Sequence, residues 1–522
     1  MGMPFTPPIS KAARLDIKSD EFQDIFEIDE KGVARFKCFV CGDWVEGDEW
    51  IDVKSCIDLS TIAKVPKLSE ECVERALGTL YTYGRWDARN LPGYKRLAIL
   101  RKLADLIEQN RQQFINTLIL DAGKPVVSAK AEVDASIERL RISELDVKKI
   151  QGEFVPGDWS DETTETEALV RREPVGVVLA IVPFNYPLLD SVNKFTYSFL
   201  SGNAVALKPA SSDPISTILL SKLIELAGVP KRSFALLTLR GSEMGKVVSD
   251  RRISAITLTI TLTGSTETGI SVVRQAGIKQ FLMELGGGDC AIVMHDADTE
   301  WAAKRIARGV YSYSGQRCDA IKLILVEEEV YEKLRRRLVE ELSKVKVGDP
   351  RDESVDVGPL IEPSAADTMM HAIEDAVKKG GSVIVGGKRL GPTYVEPTLV
   401  EIPKALVRQT ELYQKEIFAP VALLVGVRGV EEAVEFANAR SYGLDAAIFG
   451  RDIFKLRYAM RHLEVGTVYI NDYPRHGIGY YPFGGRKNSG IGREGIGYSI
   501  EYISAPKTIV YNYKGSGVWE YL

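Results

Sequence analysis

Cys318 is the residue in the sequence whose type and setting fit covalent chemistry on a carbonyl group. It lies in the polar segment SGQRCD (314–319), between a helical pattern and an apolar strand. Its neighbour Arg317 is a cation that could favour the thiolate, which is the nucleophilic form of cysteine. Most single cysteines are inert small hydrophobic residues, so both interpretations stay open at this point.

A carboxylate and an amide could assist such a nucleophile. Glu284 closes the apolar segment QFLM (280–283) and precedes three glycines, where a carboxylate could act as a general base. Asn185 lies between Pro183 and Pro187, which hold the backbone, so its amide could donate to a developing oxyanion. The alternatives are a surface glutamate and an ordinary turn between two prolines.

Two further motifs carry weaker signals. GSTETG (264–269) follows an apolar strand and opens a helix, whose free amides attract phosphate. Its spacing is neither G-x-G-x-x-G nor that of a P-loop, and a plain strand-to-helix turn with a Ser or Thr cap explains it as well. Cys38 and Cys41 form a Cys-x-x-Cys motif, but zinc would need a second close pair, so we expect a surface hairpin there.

An alternation of strands and helices must position these residues. Apolar runs alternate with helical patterns up to residue 283 and again from residue 301, which is typical of parallel sheets buried on both faces. Such sheets bind ligands at the carboxyl ends of their strands. The strands are predicted at 175–182, 203–207, 233–239, 253–262, 321–326, 382–385 and 465–471, long helices at 94–121 and 129–147, and a terminal strand at 507–513.

The composition is that of a soluble protein with two or three domains. The chain has 522 residues, of which 45% are hydrophobic and 27% charged, and its net charge is -5. There is no basic excess to neutralise nucleic acid, and no apolar run reaches the ~20 residues that span a bilayer. Six cysteines and the lack of an apolar signal segment predict a reducing, cytoplasmic location.

Seven motifs in order make the sequence resemble the aldehyde dehydrogenase superfamily over residues 40–513. They are PFNYP (183–187), KP (208–209), GSTE (264–267), ELGG (284–287), GQRC (315–318), EIFAP (416–420) and PFGG (482–485). The resemblance implies that Cys318 attacks the aldehyde, that Asn185 and the Cys318 amide hold the oxyanion, and that Glu284 activates the water that hydrolyses a thioester. It implies no metal, because a nicotinamide cofactor carries the redox step.

The resemblance also implies a cofactor site. Lys208 would meet the adenosine ribose, and many NAD-preferring relatives carry glutamate three positions later, where this chain has Ser211. The missing carboxylate and the nearby cation favour NADP, with NAD as the alternative, although Asp213 is close in sequence. The remaining implied cofactor residues are Ser265 at the pyrophosphate, Glu416 at the nicotinamide ribose and Phe418 near the ring, together with Pro183, Phe184 and Gly264.

Longer matches most resemble the archaeal non-phosphorylating glyceraldehyde-3-phosphate dehydrogenases. They are VRREPVG (170–176), GGGD (286–289), QRCDAIK (316–322) and NDYPRHGIG (471–479). In that subfamily, arginines matching Arg317 and Arg475 hold the substrate phosphate, which suits the guanidinium fork. A third arginine known outside the archaeal branch falls near Ala135 here, and whether Arg139 replaces it stays open. A solvated surface role is the alternative for Arg475, and a helix-end charge for Arg317.

The predicted fold is α/β and like that of the aldehyde dehydrogenases, with two parallel-sheet α/β domains and a small β oligomerisation arm. A cofactor domain would take 1–151 and 175–286, a catalytic domain 287–495, and the arm 152–174 and 496–522, with a homotetramer as the expected assembly. The predicted partner is a small phosphorylated aldehyde. A broader aldehyde or semialdehyde dehydrogenase and a catalytically silent nucleotide-binding scaffold are the alternatives, and a coenzyme-A-acylating enzyme is disfavoured by Glu284.

Overall fold

A computed structural model describes residues 3–7, 12–259 and 265–513. An eight-stranded sheet organises the first part of the fold, and its five central strands are parallel. These strands are almost wholly buried apolar runs, as a sheet covered on both faces requires. From edge to edge the strands are Gly490–Ile491, Gln280–Glu284, Ala255–Thr259, Val177–Ile181, Ala204–Lys208, Phe234–Leu236, Cys38–Val40 and Asp43–Val45.

Helices cover both faces of this sheet. They are Glu70–Thr79, Arg85–Asn90, Gly93–Gln109, Arg111–Leu120, Val126–Arg141, Pro187–Leu200, Ile215–Ala227, Gly245–Ser249 and Ser265–Ala276. The prediction of one helix over 94–121 is wrong, because the chain breaks at Asn110. The Asn110 side chain donates to the Leu106 carbonyl at 3.0 Å, and asparagine competes in this way with helical backbone bonds. The predicted helix 129–147 likewise ends at Arg141 and continues as the 3-10 segment Ser143–Ile150.

A seven-stranded sheet forms the second α/β unit, and all its pairs are parallel except the outermost. Its strands are, in order, Ser382–Val385, Thr398–Glu401, Val421–Val427, Ile321–Glu327, Asp289–Val293, Asp445–Phe449 and Thr467–Ile470. Its helices are Thr299–Tyr311, Tyr331–Ser343, Pro363–Lys378, Lys404–Val407, Glu411–Gln414, Val430–Asn438 and Ile453–His462. The predicted α/β class with two parallel-sheet units is confirmed.

The described residues also form two two-stranded sheets, Phe5–Thr6 with Val347–Gly348 and Tyr442–Gly443 with Arg486–Lys487, and two larger ones. One near the amino-terminal end combines Phe26–Ile28, Ala34–Phe36, Thr61–Lys67 and Glu49–Lys54, and the other combines Ser504–Asn512, Thr166–Pro174 and Glu153–Pro156. The long strands Ser504–Asn512 and Thr166–Pro174 pair over nine residues each. This second sheet is the predicted arm, of which residues 514–522 lie outside the described part. Within the described ranges, no helix is long and apolar enough to cross a membrane.

The Cys-x-x-Cys motif lies in a hairpin at the edge of the eight-stranded sheet. Strand Cys38–Val40 pairs antiparallel with Asp43–Val45. Cys38 is fully buried, with its Sγ 3.2 Å from the Leu236 carbonyl oxygen, and burial raises the pKa of its thiol to about 12. A protonated, enclosed thiol suits packing better than metal binding, which needs the thiolate.

Candidate active site

Asn185 lies in a turn that the rest of the fold holds firmly. The turn follows strand Val177–Ile181 and leads into helix Pro187–Leu200, and the Asn185 side chain is 1% exposed. Its Nδ2 donates to the Gln316 carbonyl oxygen at 3.1 Å, two residues before Cys318. The amide predicted to hold an oxyanion is therefore tied to the loop that carries the candidate nucleophile.

Glu132 fixes the start of the helix after Asn185. Its Oε1 accepts hydrogen bonds from the Leu188 and Leu189 amides at 3.0 and 3.1 Å, which would otherwise lack partners at a helix N-terminus. The same carboxylate pairs with the buried Lys124 ammonium. Lys124 Nζ also lies 3.9 Å from the centroid of the Tyr186 ring. The ion pair therefore contacts both the end of the turn and the first residues of the helix.

The loop before Cys318 has an unusual backbone. Tyr313 and Ser314 have φ angles of 47° and 54°, a left-handed conformation that side chains seldom adopt without support. The support is local: the Tyr313 hydroxyl donates to the Ala122 carbonyl at 2.9 Å, and the Ser314 hydroxyl donates to the Gly358 carbonyl at 2.9 Å. Strain of this kind persists where the surroundings over-determine the geometry, and it concentrates at functional sites.

The Cys318 thiol is protonated in this setting. Burial raises its pKa well above the usual value, and the neighbouring carboxyls of Asp319 and Glu284 add to the rise. The favourable charge interaction between Arg317 and Cys318 is outweighed by burial. Arg317 Nη1 forms an ion pair with Asp319 at 3.2 Å, so its charge is largely compensated before it reaches the sulfur. The thiol must therefore lose its proton to a base when it attacks.

Glu284 has the features of a base that is kept partly protonated. It ends strand Gln280–Glu284, its side chain is buried, and its Oε2 accepts from the Thr259 hydroxyl at 3.0 Å. Its Oε1 has no hydrogen-bond partner among the described residues. Burial, and then the charge of Glu494, raise the pKa of Glu284 well above its ordinary value. A carboxyl whose pKa is raised in this way suits proton transfer near neutral pH.

One cavity of about 260 Å³ brings these three residues together with a group of arginines. Asn185, Glu284 and Cys318 line it, as do the two predicted phosphate ligands and one arginine that the sequence analysis missed. The missed residue is Arg308, on helix Thr299–Tyr311. The full lining consists of Val127, Ser128, Ala131, Glu132, Ala135, Asn185, Tyr186, Leu189, Asp190, Thr259, Glu284, Arg308, Ser312, Tyr313, Arg317, Cys318, Asp319, Tyr473, Arg475, His476, Gly477, Ile478 and Phe483.

The arginines gather around one aromatic ring. The guanidinium carbons of Arg317 and Arg475 lie 5.5 and 5.7 Å from the centroid of Tyr473. Arg308 interacts with the hydroxyls of Tyr473 and Tyr311, which raises the pKa of this arginine despite the opposing effect of burial. Arg317 is buried, whereas the Arg475 side chain is 56% exposed and pairs with Asp472 at 3.0 Å. Three guanidinium groups thus face one end of the cavity.

Arg139 does not take the place of the missing third arginine. It is buried in an ion pair with Asp146 at 2.9 Å and does not line the cavity, whereas Ala135 does. Arg308 approaches the cavity from a different helix. The sequence around Arg308 does not indicate that it reaches the cavity, because helical periodicity only assigns it to the polar face of its helix. His476, also missed, is adjacent to Arg475 and could have been flagged from that position alone.

The predicted cofactor residues lie at the carboxyl ends of the parallel strands. Lys208 ends strand Ala204–Lys208, and its Nζ is 3.5 Å from the Ser211 hydroxyl. Burial lowers the pKa of Lys208 to about 8, although Asp213 partly opposes the fall. Asp213 itself is fully buried and bonded to the Ser212 hydroxyl, so its carboxylate is not on the surface that Ser211 presents.

The other predicted cofactor residues flank the cysteine loop. Phe184 and Phe418 meet edge to face at 5.7 Å and pack with Ile361, next to Pro183. Glu416 is buried, and its Oε1 accepts from the Gly287 amide at 2.9 Å. Helix Ser265–Ala276 follows strand Ala255–Thr259, while Gly264 and the four residues before it lie outside the described part of the chain.

These residues fit a nicotinamide dinucleotide. A buried lysine and a serine hydroxyl at one strand end can bind ribose or phosphate oxygens, and a helix N-terminus follows the next strand. At Gly287 an added Cβ would lie 1.9 Å from the Cys318 carbonyl oxygen, so backbone without a side chain passes directly beside the cysteine loop. Glycine is therefore required here for the backbone to pack against the cysteine loop.

Fold and donor set together define a dehydrogenase that acts on aldehydes with a dinucleotide, and comparison with known proteins agrees. The model of the aldehyde dehydrogenase family matches residues 44–509. The chain therefore belongs to the aldehyde dehydrogenase family and is an NAD(P)-dependent aldehyde dehydrogenase. Related structures hold NADP or NAD+, so NADP is consistent with the family, and NAD is the alternative.

Relatives in this family carry two different substrate names. A lactaldehyde dehydrogenase of Methanocaldococcus jannaschii is 36% identical over 477 residues, covering 90% of this chain and 99% of that protein. An NADP-dependent glyceraldehyde-3-phosphate dehydrogenase of Streptococcus equinus is 35% identical over 485 residues, covering 92% and 99%. The crystal structure of a Methanocaldococcus jannaschii glyceraldehyde-3-phosphate dehydrogenase complexed with NADP is 35% identical, with a TM-score of 0.82 over 90% of this chain and 99% of that one.

Proposed function

We propose that the protein oxidises D-glyceraldehyde 3-phosphate to 3-phosphoglycerate with NADP, through a thioester on Cys318 and without inorganic phosphate. The observation that carries the proposal is the single cavity that Cys318, Asn185 and Glu284 share with Arg308, Arg317 and Arg475. The first three residues supply the chemistry common to aldehyde dehydrogenases. The three arginines supply a reason for the substrate to be anionic.

The reaction begins when the Cys318 sulfur attacks the aldehyde carbon and its thiol proton passes to a base. Glu284 is that base, since its raised pKa and unpartnered Oε1 prepare it to take and release a proton. The aldehyde oxygen, now carrying negative charge, accepts hydrogen bonds from the Asn185 amide and the Cys318 backbone N–H. Lys208, Ser211 and Glu416 would hold a nicotinamide dinucleotide, which would supply the hydride acceptor needed to oxidise this adduct to a thioester.

Hydrolysis then frees the enzyme. Glu284 removes a proton from a water molecule as its oxygen attacks the thioester carbon, and the same donors hold the oxyanion a second time. The carbon–sulfur bond breaks, the sulfur of Cys318 takes up a proton, and the carboxylic acid leaves. Inorganic phosphate has no part in this sequence, because water is the acyl acceptor.

The arginines support a phosphorylated substrate on electrostatic grounds. A phosphate dianion in a partly buried site needs charge-assisted hydrogen bonds, and planar guanidinium groups provide them in pairs. Arg475 is half exposed and Arg308 is partly buried, so both could turn toward a ligand, while Arg317 is fixed by Asp319 and by the carbonyls of Pro474 and Gly309. A neutral aldehyde would make no charge-assisted hydrogen bonds with these three arginines.

Initial rates on matched substrates test the proposal. We expect higher kcat/KM for D-glyceraldehyde 3-phosphate than for glyceraldehyde, lactaldehyde or succinate semialdehyde, with no dependence on added phosphate. Arg475→Ala should lower kcat/KM for the phosphorylated aldehyde by roughly 10- to 100-fold, the ~1.5–3 kcal/mol of one hydrogen bond to a charged group, and leave the other aldehydes nearly unchanged.

Arg305→Ala is the matched control. Arg305 stacks on the same Tyr473 ring at 4.6 Å, but it pairs with Asp472 and does not line the cavity. Its loss should affect phosphorylated and unphosphorylated substrates alike. An equal fall for both substrate classes in Arg475→Ala, or a requirement for inorganic phosphate, would refute the proposed substrate.

A small unphosphorylated 2-hydroxyaldehyde is the second candidate. It is favoured because the most buried arginine, Arg317, is already satisfied by Asp319, and because several relatives are named lactaldehyde dehydrogenases. Lactaldehyde turnover exceeding that of the phosphorylated aldehyde in the assay above would establish this alternative.

We also propose that the chain divides into a cofactor domain (1–151 and 175–286), a catalytic domain (287–495) and an arm that joins subunits of a homotetramer. The arm proposal is supported by exposed apolar side chains on its strands, among them Phe154 and Val510, at 60% and 61% exposure. Exposed strand edges and apolar patches are typical of oligomer contacts. Light scattering that reports a monomer at micromolar concentration would contradict the tetramer.

A further inference from the structure

His476 is the most unusual group beside Glu284. One ring nitrogen of His476, one Glu284 oxygen and one Glu494 oxygen all lie within 4.8 Å of one another. His476 Nε2 is 3.8 Å from Glu494 Oε1, and the ring meets Phe483 edge to face at 4.4 Å. The ring is therefore held in place by an aromatic neighbour while one nitrogen points at two carboxyl groups.

The hydrogen bond of the ring determines which nitrogen carries the proton when the imidazole is neutral. The Nδ1 nitrogen lies 2.9 Å from the Gly477 carbonyl oxygen, which can only accept, so Nδ1 carries the proton. Nε2 is then a bare lone pair, and it has no hydrogen-bond partner among the described residues. Glu284 Oε1 is likewise buried and unpartnered. An acceptor nitrogen and a carboxyl whose raised pKa favours its acid form thus stand close together.

The charged groups around His476 and Glu284 already have ionic or hydrogen-bond partners. Glu494 accepts from Lys194 Nζ and Asn193 Nδ2, each at 2.9 Å, and Lys194 holds the pKa of Glu494 below its ordinary value. Arg139 adds to that effect, while Asp190 on the same helix as Lys194 faces the ammonium from the cavity side. Glu494 therefore stays ionised and Lys194 stays protonated, whereas a neutral imidazole can both gain and lose a proton.

Glu284 has a difficulty that His476 resolves. Each turnover releases two protons, one from the thiol when the thioester forms and one from the acid when water cleaves it. Glu284 is 4% exposed, so protons that it collects have no direct contact with bulk water. The His476 side chain is 16% exposed, and it is followed in the chain by the exposed Gly477.

We propose, on the basis of the function proposed above, that His476 takes the proton from Glu284 through Nε2 and passes it to solvent. A separation of up to 4.8 Å is spanned by one bridging water, whose two hydrogen bonds connect a carboxyl oxygen and a ring nitrogen. The Glu284 oxygen loses the proton, the imidazole becomes imidazolium, and the positive charge is stabilised by Glu494. Release of a proton to water then restores the neutral ring. His476 acts through Glu284 and does not touch the substrate.

Rapid-quench kinetics on His476→Ala test this role. We expect deacylation to slow by at least roughly tenfold, toward the range that acid–base groups supply, so that the Cys318 thioester accumulates and one equivalent of reduced cofactor forms as a burst. Added imidazole should restore deacylation with saturation. Across substituted imidazoles, the restored rate should rise with the pKa of the base. His476→Gln, which keeps a polar side chain but cannot carry a proton, should behave like His476→Ala without imidazole.

Control measurements separate this role from a loss of structure. His371→Ala removes a histidine whose side chain is 70% exposed and far along the chain, and it should change neither the burst nor the response to imidazole. Thermal melting and cofactor binding of the His476 variants should match the parent protein. Deacylation at the parental rate, or a slow rate that no imidazole restores, would overturn the proposal. Either assay can use whichever aldehyde turns over fastest, so a wrong substrate assignment would leave this test intact.

Discussion

Lys208 should make NADP binding depend on pH in a way that NAD binding does not. Its pKa is lowered to about 8, because burial at the end of a parallel strand removes the ammonium from water. The 2′-phosphate of NADP, if it lies beside Lys208 and Ser211, restores a strong preference for the charged form. Binding NADP therefore returns the pKa of this lysine to at least its ordinary value.

The sign follows from linkage between proton and cofactor. Below pH 7 the lysine is charged with or without NADP, so its contribution to affinity is constant. Above pH 8 the free protein has lost the proton, and NADP must bind together with a proton, so affinity falls as pH rises. With a pKa of about 8 in the free protein and ~10.5 in the complex, the Kd for NADP should increase about 30-fold from pH 7 to 9.5, or ~2 kcal/mol.

Isothermal titration calorimetry in buffers of different ionisation enthalpy measures both quantities. At pH 8 the binding of NADP should take up about half a proton, since half of the free lysine is uncharged there. The phosphate itself titrates near pH ~6 and contributes little at this pH. NAD binding should take up far less, and its Kd should vary much less with pH.

Lys208→Met provides the control, because it keeps the length and apolar stem of the side chain and removes the titrating group. The variant should bind NADP more weakly at pH 7 and lose most of the pH dependence above pH 8. Parallel pH profiles for NADP and NAD in the parent protein would show that Lys208 does not meet the 2′-phosphate. A steep NADP profile that persists in Lys208→Met would place the titrating group elsewhere.

Two further substitutions test the cofactor site and the cysteine loop. Ser211→Glu puts a carboxylate where the Lys208 ammonium is now 3.5 Å from a hydroxyl, so NADP affinity should fall roughly 10- to 100-fold while NAD binding is kept; unchanged NADP preference in fluorescence titrations would contradict this. Gly287→Ala adds a Cβ 1.9 Å from the Cys318 carbonyl oxygen and should lower activity and destabilise the fold by ~1–3 kcal/mol. Gly241→Ala, with nothing within 4 Å of the added carbon, should melt like the parent, and equal midpoints for both variants would refute the argument.

Several strands of both sheets could be predicted from the sequence because they are buried on both faces, whereas Asp289–Val293, Thr398–Glu401 and Val421–Val427 were not predicted. The predicted run 203–207 is the strand Ala204–Lys208, and 321–326 is Ile321–Glu327. An uninterrupted apolar run of that length between turn residues has few other solutions in an α/β chain. The helix prediction over 94–121 failed for a local reason, since the backbone leaves the helical conformation at Asn110 alone (φ -100°, ψ 15°) and the periodicity on each side is unaffected.

The predicted members of the site lie together, but their charge states could not be predicted. Arg317 is next to Cys318 in sequence, which indicates an electropositive neighbour, yet its charge is directed to Asp319 and the thiol pKa rises. Arg308 could not be predicted either. Arg308 lies nine positions before Arg317 in the chain. Its approach to the same cavity depends on how helix Thr299–Tyr311 packs, which periodicity alone does not specify.

Buried lysines explain how separate loops are brought to one cavity. Lys322 donates to the carbonyls of Gly315 and Ala419, at 3.0 and 2.6 Å, and so joins the cysteine loop to the loop that follows Glu416. Burial lowers the pKa of Lys322 to about 7, because the charged form is costly to hold away from water.

Lys124 supports the turn that carries Asn185 through its ion pair with Glu132. Lys322 binds backbone carbonyls directly, whereas Lys124 acts through Glu132, which accepts from the Leu188 and Leu189 amides. The cost of burying these lysines is thus linked to fixing the relative positions of Asn185 and Cys318. The catalytic rate depends on such positions being held within a fraction of an ångström. The order of motifs along the chain predicts which residues meet, whereas the contacts of these buried lysines, which the sequence does not reveal, help to hold them in place.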